Sequence, residues 1–234
     1  MDKKENGEEN NCDLILGLDD AGRGPIIGAM ALAGCLITKE VEKYLKDLGV
    51  KDSKLLTPKK REEIVEKIRK GVSNYTVILT HPNEIDEKIN TGTNLNKIEA
   101  IKAAHIINKL TRGIKEKIKV IIDCPSPNRE AWKKDVLENI ENPDNLLIFC
   151  EHKADSRFIS VAAASILAKS EREKDVSKIK ERINKDFGSG YPSDPQTKKF
   201  VEKNWNKYPE IFRKTWSTYK NAAKAATEKQ KKLF

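Results

Sequence analysis

Leu14-Ile15-Leu16-Gly17-Leu18-Asp19-Asp20-Ala21-Gly22-Arg23-Gly24-Pro25 decides how this 234-residue chain is read. An apolar run delivers two adjacent carboxylates to a sharp Gly-Arg-Gly-Pro turn, and a second apolar run, Ile26 to Ile37, follows at once. The pattern predicts a strand, a turn that holds little but backbone, and a returning strand. Carboxylates at the end of a buried strand are held rigidly, as a hard cation with oxygen ligands requires. The glycines leave backbone N–H groups uncovered beside the acids. Metal-binding acids next to a backbone surface suited to phosphate or sugar point to chemistry on a phosphodiester. Asp and Gly are also ordinary turn residues, so the segment alone reads equally well as a solvated hairpin.

Charge and composition narrow the choice. Basic residues outnumber acidic ones by 45 to 36, and the net charge of +9 favours a polyanionic partner, with a lysine-rich surface as the plainer alternative. Cys12, Cys35, Cys124 and Cys150 are widely spaced and form no Cys-x-x-Cys pair, which signals neither a zinc site nor a disulfide framework. No apolar stretch reaches membrane-spanning length, and the N-terminus has no signal-peptide core. The expectation is a soluble cytoplasmic protein without a membrane partner.

Along the chain, residues 1–11 are polar and charged and are expected to form a disordered leader. Strands are expected at 14–19 and 26–37, then a helix near 40–48. Thr57-Pro58 reads as a helix start, cap and first turn, with the helix running to about Lys70. Tyr75 to Leu79 reads as a strand, and Asn94 to Leu110 as a helix with apolar residues at Leu95, Ile98, Ile101, Ala104 and Ile107. Lys119 to Ile122 is a buried strand ending at Asp123, and Leu146 to Cys150 is another, ending near Glu151. Phe158 to about Ile183 is a long helix, apolar and small-residued in its first half. A Gly-, Pro- and Ser-dense loop over 187–195 and a basic, partly helical tail complete the chain. Three strands first, then strands alternating with helices, predict an α/β domain with a mixed sheet.

That layout gathers acids. Asp19 and Asp20 end the first strand, Asp123 ends the fourth, and Asp155 follows the fifth in His152-Lys153-Ala154-Asp155. Neighbouring parallel strands lie about 4.8 Å apart, so acids at their carboxyl ends can converge. Four converging carboxylates repel unless cations hold them together, and oxygen-only ligands favour Mg²⁺ or Mn²⁺ over zinc. Two such ions about 4 Å apart can activate a water and steady the leaving oxygen of a phosphodiester. For Asp123, which precedes Cys-Pro-Ser-Pro, a turn-forming role stands beside the metal role.

These residues carry a resemblance. The chain resembles type II ribonuclease H (ribonuclease HII) in its archaeal-like form. The similarity runs through Asp19-Asp20-Ala21-Gly22-Arg23-Gly24-Pro25, Lys51-Asp52-Ser53-Lys54, Asn94-Leu95-Asn96, Ile121-Ile122-Asp123, His152-Lys153-Ala154-Asp155, Ala163-Ala164-Ser165-Ile166-Leu167-Ala168-Lys169 and Gly188-Ser189-Gly190-Tyr191-Pro192-Ser193-Asp194-Pro195. It implies a ribonuclease H-like fold, a five-stranded mixed sheet flanked by helices with a helical C-terminal portion. The implied division is a catalytic domain over 12–186 and a substrate-contacting loop with a basic helical portion over 187–234.

The resemblance also implies roles. Asp19, Asp20, Asp123 and Asp155 match the family's four catalytic, metal-binding carboxylates, with two Mg²⁺ or Mn²⁺ ions in the active complex. Backbone groups of Gly22, Arg23 and Gly24 would meet the 2′-hydroxyl and phosphate at an RNA–DNA junction. Tyr191 would pack on the adjoining deoxyribose, although Gly-Tyr-Pro alone also suits an ordinary loop aromatic. The physical logic agrees, because the 2′-OH distinguishes RNA from DNA and backbone donors reach it only where no side chain intervenes. Lys54 and Lys153 would meet phosphates, against the plainer reading of solvated lysines. Ser165 reads first as a packing residue or local hydrogen-bonding group, with a substrate contact as the second reading.

The implied activity is endonucleolytic cleavage of RNA in RNA–DNA hybrids and at single ribonucleotides in duplex DNA, by a monomer, in ribonucleotide and primer removal. A non-catalytic hybrid-binding module is the alternative from another class. The type III relatives lack Gly-Arg-Gly at this turn and usually carry an extra N-terminal domain, for which the short leader leaves no room. Two departures stand out: Asp19-Asp20 replaces the family's usual Asp-Glu, and Phe158-Ile159-Ser160-Val161-Ala162 replaces an aromatic followed by Pro-Val-Val-Ser. The shorter Asp20 loses about 1.5 Å of reach, which can shift metal preference towards the more forgiving manganese. Gln230-Lys231-Lys232-Leu233-Phe234 resembles the opening of a sliding-clamp-binding peptide but lacks the paired aromatics, and a basic tail ending by chance in Leu-Phe is the better reading.

Overall fold

The computed structural model describes residues 12–50, 58–72 and 74–231. The leader 1–11, Lys54 with its loop, the Thr57 cap and the last three residues of Gln230–Phe234 lie outside them. The chain divides into two compact units. The first comprises the chain up to Ala21, Leu32–Ile78 and Glu99–Ser170; the second comprises Gly22–Ala31, Leu79–Ile98 and the chain from Glu171 onward.

A five-stranded mixed sheet with flanking helices is the frame. Its strands are β1 (Leu14–Ala21), β2 (Met30–Thr38), β3 (Asn74–Thr80), β4 (Ile118–Asp123) and β5 (Leu146–Glu151), in the order β3-β2-β1-β4-β5. β1, β4 and β5 run parallel, with Leu18 beside Ile122 and Asp123 beside Glu151. Parallel neighbours bring their carboxyl ends to one edge, and that edge carries Asp19 and Asp123. The helices are α1 (Lys39–Asp47), α2 (Pro58–Gly71), α3 (Pro82–Asn90), α4 (Leu95–Thr111), α5 (Arg129–Leu137), α6 (Ile159–Ile183), α7 (Pro195–Asn204) and α8 (Ser217–Lys231). The expected α/β architecture with a helical C-terminal portion is present.

Within the first unit, alternation along β1 separates two faces. Leu16 and Leu18 join Leu32, Leu36, Val120, Ile122 and Ile148 in a core closed by Ala100, Ala103 and Ile107 of α4 and by Trp132 and Val136 of α5. Gly17 lies on the opposite face, where a Cβ would come within 2.2 Å of the Ser160 carbonyl carbon and 2.3 Å of the Val161 nitrogen. The start of α6 therefore rests on β1 through backbone alone at that point. Ala162, Ala163 and Ala164 in its first turns are also buried, and such small side chains suit a close approach.

The second unit has its own core. Ile26 and Ile27 pack with Val176 and Ile179 of α6, Phe187, Phe200 and Val201, and Ile211 and Phe212. This corrects one expectation: the returning strand begins at Met30 rather than at Ile26. Gly28 has φ +84°, which breaks the extended run, and the preceding backbone is satisfied by loops. The Ile26 N–H donates to the Gly190 carbonyl at 2.9 Å, the Gly28 N–H to the Ile211 carbonyl at 3.0 Å, and the Arg213 N–H to the Ile26 carbonyl at 2.9 Å.

Two helices had no sequence signal strong enough to mark them. α3 opens with Pro82 at its first turn and buries only Pro82, Ile85 and Asp86. α5 is capped by the Asn128 side chain, which accepts from the Ala131 N–H, and it buries only Trp132 and Val136. A pair of buried residues one turn apart is too short a pattern for periodicity to register. The four cysteines are free and buried, and burial pushes the Cys35 and Cys150 thiols up to about 12, out of reach of thiolate chemistry at neutral pH. Among the described residues, no helix is long and apolar enough to cross a membrane.

Candidate active site

At the carboxyl end of β1, Asp19 shares the face of Gly17 and is 5% exposed. Two residues of strand span about 6.6 Å, and four residues of helix rise about 6 Å. Because α6 touches β1 at Gly17 through Val161, the matched spacing brings Ser165 to Asp19. The Ser165 hydroxyl hydrogen-bonds the Asp19 carboxylate, and the Lys169 ammonium donates to Ser165 Oγ at 2.8 Å. The ionised Asp19 can only accept, so in that form the Ser165 hydroxyl donates its hydrogen bond to Asp19 while Ser165 Oγ accepts from Lys169. The Asp20 N–H supplies a further donor to Asp19 Oδ1 at 2.7 Å.

Burial pushes the Asp19 carboxyl up to about 8; Ser165 pulls it back, the neighbouring Asp20 and Asp123 charges push it further, and the Asp20 N–H opposes them. A buried carboxyl among acids either keeps its proton or takes a cation as partner. The donor set, all carboxylate oxygen, suits a hard divalent ion rather than a soft one. Among the described residues, however, no three or more His, Cys, Asp or Glu side chains are gathered as around a bound ion. The structure thus brings Asp19, Asp20 and Asp123 into mutual influence without forming a closed cage.

Asp123 and Asp155 are tied through the backbone. The Ala154 N–H donates to Asp123 Oδ1 at 2.8 Å. Asp155 stands next in the 3-10 turn Ala154–Ser156, which follows Lys153 in the left-handed conformation at φ 55°. The His152 imidazole Nδ1 lies 3.1 Å from the Cys124 carbonyl, a second tie between the ends of β4 and β5. The exposed Lys153 is held in this turn by its backbone. Glu151, opposite Asp123, is engaged by Arg129 at 3.4 Å and Arg157 at 3.0 Å.

The second unit holds the other candidate residues. Gly22 has φ +79°, which only glycine adopts without strain, and its Cα faces the Arg172 side chain. Gly24 is exposed and faces the Tyr191 ring, whose nearest carbon would be 3.6 Å from an added Cβ. Arg172 links the two: its guanidinium lies 5.0 Å over the Tyr191 ring and donates to the Ser189 carbonyl at 3.0 Å. The Arg23 side chain is hydrogen-bonded by Asn96 at the start of α4. Ser189 donates from its N–H at 2.6 Å and its hydroxyl at 2.8 Å to Asp194, the cap of α7. The turn and Tyr191 are thus neighbours within one unit.

Sequence reading assigned no role to Lys169, Arg172, Asp86, Arg213 or Trp216. Lys169 offered one signal, its i+4 spacing from Ser165 on an otherwise apolar helix. Arg213 offered another, a cation directly after Ile211-Phe212.

Comparison with known proteins agrees with this architecture. The family model described as Ribonuclease HII matches residues 16–219. A curated Ribonuclease HII of Methanococcus maripaludis (strain C6) is 42% identical over 226 residues, covering 95% of this chain and 92% of the relative. The crystal structure of the ribonuclease H2 from Pyrococcus horikoshii OT3 superposes with a TM-score of 0.81 at 35% identity, covering 91% of this chain and 98% of that one. The ribonuclease HII in a PCNA:RNase HII complex from Archaeoglobus fulgidus gives 0.75 at 36% identity, with 87% and 95% covered. With a family match across most of its length and relatives of this identity and coverage, the chain belongs to the ribonuclease HII family and is a metal-dependent ribonuclease H hydrolase.

Proposed function

We propose that this chain is an endonuclease that cuts the RNA strand of RNA–DNA hybrids and also cuts at single ribonucleotides embedded in duplex DNA. Asp19, Asp20, Asp123 and Asp155 would hold two divalent cations, Mg²⁺ or Mn²⁺. When bound, the cations supply activation of the attacking water and stabilisation of charge on the departing oxygen. The carrying observation is Asp19, a buried carboxyl beside Asp20 and Asp123 that Ser165 and Lys169 hold in place. In the hydrolysis a bond forms between the water oxygen and phosphorus, the P–O3′ bond breaks, and the 3′ oxygen takes a proton. The products are 5′-phosphate and 3′-hydroxyl ends.

Recognition of the sugar at the junction is assigned to the second unit. Backbone groups of Gly22, Arg23 and Gly24 read the 2′-hydroxyl and phosphate at the junction, and Tyr191 packs on the neighbouring deoxyribose. Lys54 and Lys153 meet phosphates. Carboxylates and cations hydrolyse any phosphodiester they reach, so discrimination between RNA and DNA falls to the turn and the tyrosine. A clamp contact through Gln230–Phe234 is a further proposal, supported by the A. fulgidus relative solved with PCNA.

Cleavage of one embedded-ribonucleotide duplex and one long hybrid, in Mg²⁺ and in Mn²⁺, tests the assignment with Asp123→Asn. The amide keeps the shape but loses the charge that balances a cation, so turnover should drop by orders of magnitude in a folded protein. Near-normal cleavage by folded Asp123→Asn removes the carboxylate assignment. Metal-independent binding of hybrid without cleavage by the unaltered chain would favour a binding module.

A further inference from the structure

The Gly22–Arg23–Gly24 turn is captured by its carbonyls. Arg213, 0% exposed, donates from Nη2 to the Gly22 carbonyl at 2.6 Å, from Nη1 to the Arg23 carbonyl at 2.8 Å, and from Nε and Nη2 to the Gly28 carbonyl at 3.1 and 3.0 Å. The Trp216 indole N–H donates to the Gly24 carbonyl at 3.3 Å, and the Arg213 guanidinium stacks 5.0 Å over the Trp216 ring. All three carbonyls of the turn thus go to one four-residue segment of the same unit.

That segment is itself fixed. Asp86, buried in α3, accepts from the Lys214 N–H at 2.7 Å, the Thr215 N–H at 3.0 Å and the Thr215 hydroxyl at 2.6 Å. Burial, with Arg172 nearby, lowers the Arg213 guanidinium to about 9, so it stays charged at neutral pH. A buried cation that spends its donors on three carbonyls is a costly way to brace an ordinary loop.

Peptide planarity gives the arrangement its consequence. In a trans peptide the N–H points opposite to the C=O. Drawing the Gly22 and Arg23 carbonyls towards Arg213 therefore turns the Arg23 and Gly24 N–H vectors away from it, and Gly24 is on the exposed side. The third peptide ends in Pro25, which has no N–H, so capture of the Gly24 carbonyl serves only to lock the turn.

We infer that Arg213, with Trp216 and Asp86, is a positioning frame for the junction-reading turn: it sets in advance the direction of the two amides that meet the ribonucleotide. The inference rests on the proposed reading of that turn. Preorganised donors bind without an ordering cost, so loosening the frame weakens binding of the junction ahead of chemistry.

Arg213→Lys and Asp86→Asn test it. Lysine keeps the charge but cannot serve three carbonyls in a fork, and asparagine keeps one acceptor for the 214–215 amides. Both variants should raise KM for a single-ribonucleotide duplex tenfold or more, with kcat at saturation within threefold. Both should also speed hydrogen exchange of the Gly28 amide, which donates to the Ile211 carbonyl while its own carbonyl is held by Arg213. Unchanged KM and unchanged Gly28 exchange in folded variants overturn the inference, and so does an equal loss of kcat on all substrates, as expected of a merely structural brace. If Arg213→Lys does not fold, the Asp86→Asn measurements decide. Failure of the underlying reading has a different signature: Gly24→Ala would then cleave both substrates like the unaltered chain, whatever the frame variants do.

Discussion

Gly17→Ala adds one methyl group where α6 meets β1, two residues before Asp19. Its Cβ would sit 2.2 Å from the Ser160 carbonyl carbon, so backbone must retreat by about 1.2 Å to reach the 3.4 Å of ordinary contact. Both obstructing atoms belong to main chain, and neither can rotate away. Overpacking of this kind costs about 1–3 kcal/mol, and rigid backbone on both sides puts this case at the upper end. For a domain of this size about 3 kcal/mol lowers the melting temperature by roughly 6–12 °C. The same retreat carries Ser165 away from Asp19 by more than the ~0.5 Å that a preorganised site tolerates. Turnover should therefore fall about 100-fold, as for a misplacement of about 1 Å. The control is Gly34→Ala in the same unit, where the nearest atoms, Ile106 Cγ2 at 2.3 Å and Leu110 Cδ1 at 3.1 Å, belong to α4 side chains rather than to main chain. It should lose stability with little loss of turnover. Thermal melts and cleavage kinetics on both proteins are the assay, and a Gly17→Ala enzyme within twofold of normal turnover would refute the reasoning.

Ser165→Ala removes a charge-assisted hydrogen bond to Asp19 and strands the Lys169 ammonium, so the divalent-ion concentration for half-maximal activity should rise about 10- to 100-fold, read from metal titrations of the cleavage rate. Asp20→Glu restores the usual reach of this position and should raise the ratio of Mg²⁺- to Mn²⁺-supported activity; an unchanged ratio would show that the backbone already compensates for the shorter arm. The Ser189 N–H and hydroxyl hold the Asp194 carboxyl down at about 2, below its unfolded value near 3.9. That contribution is complete above the unfolded value and disappears as pH falls through about 2, so Asp194→Asn should flatten the acid limb of melting temperature against pH between about 4 and 2.

How much of this was legible depends on how far each residue's meaning travels along the chain. β1, β4 and β5 read plainly because short apolar runs ended by breakers have few alternatives. Asp19 and Asp123 read as neighbours because parallel pairing alone aligns strand ends. Ser165 was ambiguous, because its value lies in a two-residue step on β1 matched to a one-turn step on α6. β2 started late because Gly28 takes a left-handed conformation and loop carbonyls at Gly190 and Ile211 replace the sheet as partners. Asp86 and Arg213 were harder to read: an acid in a short polar helix and a cation after Ile211-Phe212 in a basic tail take most of their role from partners more than 100 positions away.

The hydrogen bond from Arg213 to the Gly22 carbonyl spans 191 positions, and this separation bears on biosynthesis. At ribosomal rates of about 5–20 residues per second, the turn emerges roughly 10–40 s before the arginine that shapes it. During that interval the carbonyls of residues 22–24 must remain solvated or find substitute donors. The geometry of the Gly22–Gly24 turn is therefore completed only once Arg213 has been made, and a nascent chain that still lacks Arg213 carries the turn without the donors that hold it.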